Sequence, residues 1–294
     1  MKWRTKFTEI TKVQYPVIMG AFAGLGRASF AAPFSNAGGL GIITALNFNS
    51  AERFKKELKA MKDLTDKPFG VNFTIAPPML AKKNPKARTE ETYFDFLDIA
   101  VEMGVEVFTT SAYQAKKLGE RIHEYGCYWF HKCSVMEHAL SAERAGADMI
   151  TLVGVEGTGF KNPLQQSTLV NITMGNKLLD IPLIAAGGIG NARGFLASLF
   201  MGASAVCFGT AIMATKECPA SDKLKKRLVN QDIFEEEYYQ QIYHHQLKDK
   251  SIWSPAAGHC DEVLTIKEFM DKIIGEAEDL LIEWGFKKEQ FNTL

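Results

Sequence analysis

The sequence predicts an α/β chain folded as a (β/α)8 TIM barrel with a C-terminal helical extension. Three observations lead there. Short, unbroken apolar runs recur at a spacing of roughly 20–30 residues, each followed by a helical pattern, as parallel strands covered on both faces require. Two consecutive runs, at 182–186 and 205–208, both end in glycine, at Gly187-Gly188 and at Gly209. Glycine lets backbone N–H groups approach an anion without a Cβ in the way, and the strand-seven and strand-eight ends of such barrels commonly hold phosphate. Finally, 294 residues with 46% hydrophobic content suffice for a barrel of ~250 residues and an addition to it.

The elements follow in order. Residues 17–20 form a first strand, and a helix over 27–37 stops at Gly38-Gly39 before a second strand at 40–45. Asn49 or Ser50 caps the next helix, whose Phe54, Leu58 and Met61 recur on one face. The third strand is 69–75. A loop over 76–88 then carries three prolines together with Lys82, Lys83, Lys86 and Arg88. A helix with Phe94, Leu97 and Val101 on one face precedes a fourth strand at 105–110, a lysine-rich helix, and a fifth strand at 128–133. A helix ending at Ala145-Gly146, a sixth strand at 149–154 and a helix over 167–179 lead to the two glycine-ended strands. A doubly wound dinucleotide fold is excluded. Gly188-Ile-Gly190 is followed by glycine only at 194, and no Asp or Glu occurs from 194 to 216.

Beyond Glu217 the composition changes. Residues 222–250 are highly charged and carry Tyr238, Tyr239, Tyr243, His244 and His245. Residues 266–284 read as an amphipathic helix with Phe269, Ile273, Ala277, Leu280 and Trp284 on one face. The chain therefore divides into a barrel, 1–217, and an extension, 218–294, expected to pack on it rather than fold alone.

Lys+Arg and Asp+Glu number 34 each, so no net charge draws the chain to nucleic acid or anionic lipid. Five cysteines without a C-x-x-C pair suit a reducing compartment. Cys127 and Cys133 share one strand and would stand roughly 20 Å apart, beyond disulfide reach. The charge-free run 194–215 is long enough to cross a bilayer, but Gly202 splits it into helix and strand. The expectation is a soluble, cytoplasmic protein.

Several motifs stand in a recognisable order: Pro16-Val-Ile-Met-Gly20, Phe34-Ser-Asn-Ala-Gly-Gly-Leu-Gly41, Gly70-Val-Asn72 and His131-Lys-Cys-Ser134. Ala145-Gly-Ala-Asp148, Val153-Gly-Val-Glu-Gly-Thr-Gly159, Ile184-Ala-Ala-Gly-Gly-Ile189, Phe208-Gly-Thr210 and Pro255-Ala-Ala-Gly258 follow. Together they resemble the nitronate monooxygenase family, formerly the 2-nitropropane dioxygenases, and the related FMN-dependent enoyl-acyl-carrier-protein reductases.

The resemblance implies an FMN enzyme, with NADH or NADPH as a candidate electron donor. Gly187, Gly188, Gly209 and Thr210 would hold the FMN phosphate, although tight turning alone also explains these glycines. Met19, Gly20 and Ala21 would meet the isoalloxazine through main chain, with Gly154 nearby, and Asn72 could donate to the ring edge or merely cap a turn. Lys132 would set a cation beside the flavin N1/C2 carbonyl, or else snorkel outward. His131 points to the other face and reads as structural, and Glu156 reads as a loop brace.

One departure stands out. Where the family carries Glu-x-Gly-Gly-His, this chain has Glu156-Gly-Thr-Gly-Phe160. Phenylalanine neither accepts nor donates a proton, so a general acid or base is lost, and Phe160 could equally line an apolar pocket. Lys161 could substitute only with a pKa lowered by desolvation. Tyr243, His244, His245 and His259 are further candidates that the sequence cannot rank.

Three functions stay open. The first is an FMN oxidoreductase acting at a C–C bond conjugated to a carbonyl, on a small molecule such as a CoA or carrier thioester. The basic loop at Lys82, Lys83, Lys86 and Arg88 would hold its phosphates, or be merely solvated. The second is a nitronate monooxygenase using dioxygen, and the third a flavin-binding protein of low turnover. No metal is expected, and a homodimer is compatible with the sequence.

Overall fold

A computed structural model of the chain describes residues 1–84, 86–159, 162, 164–243 and 254–287. A short helix, α1 (Lys6–Thr11), opens the chain and is fixed by a reciprocal cap between Thr5 and Thr8. No apolar periodicity announced it. Its Phe7 is fully buried and its ring lies 6.2 Å from that of Phe130, so α1 closes the N-terminal end of the barrel. Burying such a ring contributes about 1.5–3 kcal/mol.

The repeat then runs β1 (Val17–Met19), α2 (Ala28–Asn36), β2 (Gly41–Thr44), α3 (Ala51–Leu64), β3 (Phe69–Thr74), α4 (Pro78–Lys83), α5 (Phe94–Glu102) and β4 (Val107–Ser111). It continues with α6 (Lys116–Glu124), β5 (Tyr128–Cys133), α7 (Met136–Arg144), β6 (Met149–Val153), α8 (Thr168–Leu178), β7 (Leu183–Ala186), α9 (Ala192–Phe200), β8 (Ala205–Phe208) and α10 (Thr210–Met213). Strands β2 to β8 pair in parallel, each with its sequence neighbour, and β8 pairs in parallel with β1. An Ile18↔Leu40 bridge, with Met19 N–H donating to Leu40 O at 3.0 Å, closes the ring between β1 and β2. The (β/α)8 barrel expected from the strand spacing is present.

Local chemistry accounts for most boundaries. Ser50 caps α3 by accepting from Arg53 N–H, and Phe54, Leu58 and Met61 are wholly buried beneath it. Gly38, at φ 95°, turns the chain out of α2. Two expectations shift. The loop after β3 contains α4, started by Pro78 with Pro77 as its N-cap. The buried face of α5 is Phe96, Leu97 and Ala100 rather than Phe94 and Val101, because Phe94 turns out beneath the Arg121 guanidinium, 5.0 Å away.

After the barrel come α11 (Asp222–Val229), α12 (Glu236–Tyr243) and α13 (Ile266–Glu283). Helix α13 packs against α9 and α2, and its Phe269 meets Phe208 edge-on at 5.2 Å. Phe269, Ile273, Ala277 and Leu280 are buried as the spacing predicts, but Trp284 is 50% exposed. It sits just past the helix end and touches only the rim, 6.1 Å from Phe200. All five cysteines are buried and free, and among the described residues no helix is long and apolar enough to cross a membrane.

Candidate active site

Strand register decides which side chains share the barrel interior. Thr44, Asn72 and Thr109 stand in one row, Ser111, Lys132, Thr151 and Ile184 in another, and Val153, Ala186, Cys207 and Ile18 in a third. Alternation places all of them on the face that Phe130 presents to Phe7, which is the inside. The C-terminal mouth is therefore lopsided. Strands β2 to β6 offer hydroxyls, an amide and one ammonium, whereas β7, β8 and β1 offer only Ala186, Cys207 and Gly20.

The polar arc is tied together. Asn72, 1% exposed, donates to Thr109 Oγ1 at 2.9 Å and accepts from Thr74 Oγ1 at 3.1 Å. Lys132 is half-buried, and among the described residues no carboxylate or hydrogen-bond acceptor engages its ammonium. Its charge is felt across the barrel at Cys207, whose thiol burial pushes up and Lys132 partly pulls back.

On the other side lie the two glycine turns. Gly187 takes φ 107°, and a Cβ there would stand 2.9 Å from both Gly157 N and Thr168 Oγ1, so only glycine fits. Thr168 Oγ1 donates to Gly187 O at 2.9 Å, and Glu156 holds Thr168 by accepting from its N–H at 2.9 Å. Over Gly209 the space is open, with nothing within 4 Å of a built Cβ. Among the described residues the N–H groups of Gly187, Gly209 and Thr210 have no protein acceptor. Free N–H groups around an open glycine form a donor set suited to a phosphate.

Ser254 was missed by sequence reasoning. Its Oγ accepts from Gly188 N–H at 3.1 Å, and its own N–H donates to Thr210 Oγ1 at 3.2 Å, linking the two turns. The only signal was Ser254-Pro255 as a helix start, which says nothing of its neighbours.

The remaining candidates fall as follows. The N–H groups of Met19 and Gly20 are committed to Leu40 O and Phe208 O, leaving that of Ala21 without a protein acceptor among the described residues. Gly154 is engaged by the protein on both sides: its N–H donates to Ala186 O, and its carbonyl accepts from Gly157 and Gln165. His259 is exposed on the outer side of the β7 turn, 3.2 Å from the Asn191 amide and lining a separate cavity of about 240 Å³ between α10 and α13. Phe160, Lys161, His244 and His245 lie outside the described residues.

His131 faces outward, 2.8 Å from Thr110 Oγ1, and burial, then His138, lowers its pKa to about 4. Burial, then the Glu156 carboxylate, raises the Tyr243 phenol above its usual value. Lys82, Lys83 and Lys86 are exposed, but Arg88 donates to Phe48 O and stacks on Phe96 at 4.8 Å, so it supports the loop. No cluster of metal-ligating side chains occurs among the described residues.

The family model for nitronate monooxygenase matches residues 4–240. The chain belongs to the nitronate monooxygenase family. As a member it is an oxidoreductase, in keeping with a barrel whose polar groups collect at the strand C-terminal ends. A probable nitronate monooxygenase of Staphylococcus saprophyticus is 30% identical over 79% of this chain and 74% of its own. An octahydro-indene-carboxyl-CoA dehydrogenase of Rhodococcus jostii is 29% identical over 76% of this chain and 58% of its own. Among solved structures, FabK from Thermotoga maritima superposes with a TM-score of 0.79 and 25% identity, covering 96% of this chain and 98% of its own.

Proposed function

We propose that this family member is an FMN-dependent oxidoreductase acting at a C–C bond conjugated to a carbonyl, with a thioester as substrate. When bound, FMN supplies the two-electron hydride chemistry. Gly187, Gly209 and Thr210 hold its phosphate through N–H groups and one hydroxyl. The observation that carries the reading is Lys132, a cation inside the barrel mouth with no carboxylate partner among the described residues. Burying a charge part-way is costly unless a ligand answers it, and the electron-rich pyrimidine edge of a flavin does so. The name of the CoA dehydrogenase supports the thioester, as do the exposed Lys82, Lys83 and Lys86 beside β3, which suit its anionic tail. With Phe160 in place of an imidazole, the proton on carbon comes from solvent.

The name shared by the family and the Staphylococcus relative favours a second reading, oxidation of alkyl nitronates by dioxygen. A nitronate arrives already ionised, so Phe160 is no obstacle. Anaerobic mixing of the yellow protein with NADH or NADPH, then with an enoyl thioester, separates the two. Bleaching by nicotinamide and recovery with the enoyl compound supports the first. Bleaching by alkyl nitronate alone supports the second. Failure of all three reagents leaves a flavin-binding protein of low turnover, and failure to bind FMN overturns the flavin reading.

A further inference from the structure

Ser254 lies far from the barrel strands in sequence, yet only 4% of it is exposed, wedged between the ends of β7 and β8. Its Oγ accepts from two backbone groups, Gly188 N–H at 3.1 Å and Ala256 N–H at 3.2 Å. Two accepted bonds use both lone pairs of a hydroxyl and leave its proton to give. Thr210 Oγ1, on a residue 3% exposed, is in a similar state, accepting from Ser254 N–H at 3.2 Å. Among the described residues neither hydroxyl has an acceptor for its proton. Buried donors are rarely left so. These two lie within one hydrogen bond of each other, beside the open space over Gly209.

We infer that Ser254, supplied from beyond the barrel, is a third wall of the anion cradle and donates its hydroxyl proton to a phosphomonoester held there. The inference rests on the flavin reading above and sharpens it. Ser254 then makes the site discriminate FMN from riboflavin, since its proton has an acceptor only when the phosphate is present. It also links the 3-10 turn Pro255–His259 to the cofactor, through a residue whose backbone and side chain engage both glycine turns.

The test uses full-length protein stripped of flavin, titrated with FMN and riboflavin by fluorescence and with inorganic phosphate by calorimetry. Wild type, Ser254→Ala and Ser254→Thr are compared after circular dichroism shows each to be folded. The expected result is that Ser254→Ala weakens FMN binding about tenfold, leaves riboflavin within about twofold, and is rescued by threonine. Equal weakening of both flavins, or an unchanged preference for FMN, overturns the inference. Wild type that ignores both flavins but binds inorganic phosphate, with the alanine variant losing it, overturns the flavin reading and leaves Ser254 in place. Wild type that binds none of the three overturns both.

Discussion

Asn72 and Thr109, on adjacent strands, are joined by a side-chain hydrogen bond of 2.9 Å inside the barrel mouth, while Thr74 donates to the other end of the same amide at 3.1 Å. The amide is thereby pinned in one orientation, with its second N–H directed along β4 toward the Thr109 carbonyl at 3.3 Å. Replacing Asn72 by leucine leaves the buried Thr109 hydroxyl and the half-buried Thr74 hydroxyl facing hydrocarbon. We expect a loss of about 1–3 kcal/mol of stability, measured by urea denaturation of the flavin-free protein. A loss below about 0.5 kcal/mol would show that the hydroxyls re-pair among themselves.

Lys132→Met removes a cation that has no carboxylate partner among the described residues. If FMN binds as proposed, the flavin midpoint potential becomes more negative, because uptake of electrons loses a stabilising charge. For a half-buried site the change is about 1–2 kcal/mol, or about 20–40 mV. Spectroelectrochemical titration reads it directly, and an unchanged potential would place the ammonium away from the ring.

His131 makes stability depend on pH. Trp129 Nε1 donates to Thr110 Oγ1 at 2.7 Å, which leaves the Thr110 hydroxyl to donate to the imidazole, a bond suited to the neutral ring. Folded, its pKa falls from 6.5 to about 4, through burial first and His138 second. The unfolded chain therefore binds the extra proton between those values, and stability is complete above about pH 6.5 and declines as pH falls toward 4. The loss is about 3 kcal/mol. Denaturant midpoints from pH 7 to pH 4 should show this slope in wild type, and His131→Asn should flatten it.

Gly187→Ala sets a Cβ 2.9 Å from Gly157 N and Thr168 Oγ1 on a residue at φ 107°. Both the backbone conformation and the contact oppose it, at about 2–3 kcal/mol together. We expect a lower melting temperature and, if FMN binds as proposed, a protein that purifies without it. Retention of normal flavin content at a normal melting temperature would contradict the turn geometry.

Phe160→His restores an imidazole at the position where the chain departs from its family's pattern. If the second reading holds, activity on a neutral nitroalkane, absent from wild type, is the expected outcome in oxygen-uptake assays. Full flavin binding with no gain would show that more than the histidine separates this chain from the family's pattern.

The strands and most helices were legible because their signals are local. A buried parallel strand is an apolar run, Ser50 is a cap because of the residue it precedes, and Gly187 and Gly188 mark a turn wherever they stand. Family membership was legible too, in the order of short motifs from Pro16 to Gly258. Helix α1 escaped because six residues show no period; only its docking under Phe130 makes it a helix worth forming. Trp284 was misjudged because the spacing extends one step beyond the helix that carries it.

By itself, then, the sequence determined the barrel, the family and the two glycine turns. Tertiary structure alone decided how their polar groups are spent. Hydrogen bonds between Ser254 and Gly188, or Asn72 and Thr109, join residues whose separation along the chain carries no information about distance. Closure of the barrel brings Lys132 within electrostatic reach of Cys207, and packing of the loop after β3 sets Arg88 on the Phe48 carbonyl and the Phe96 ring, removing it from the basic loop it adjoins in sequence. Burial then makes each choice matter, because a donor left unanswered away from water costs more than the bond itself is worth.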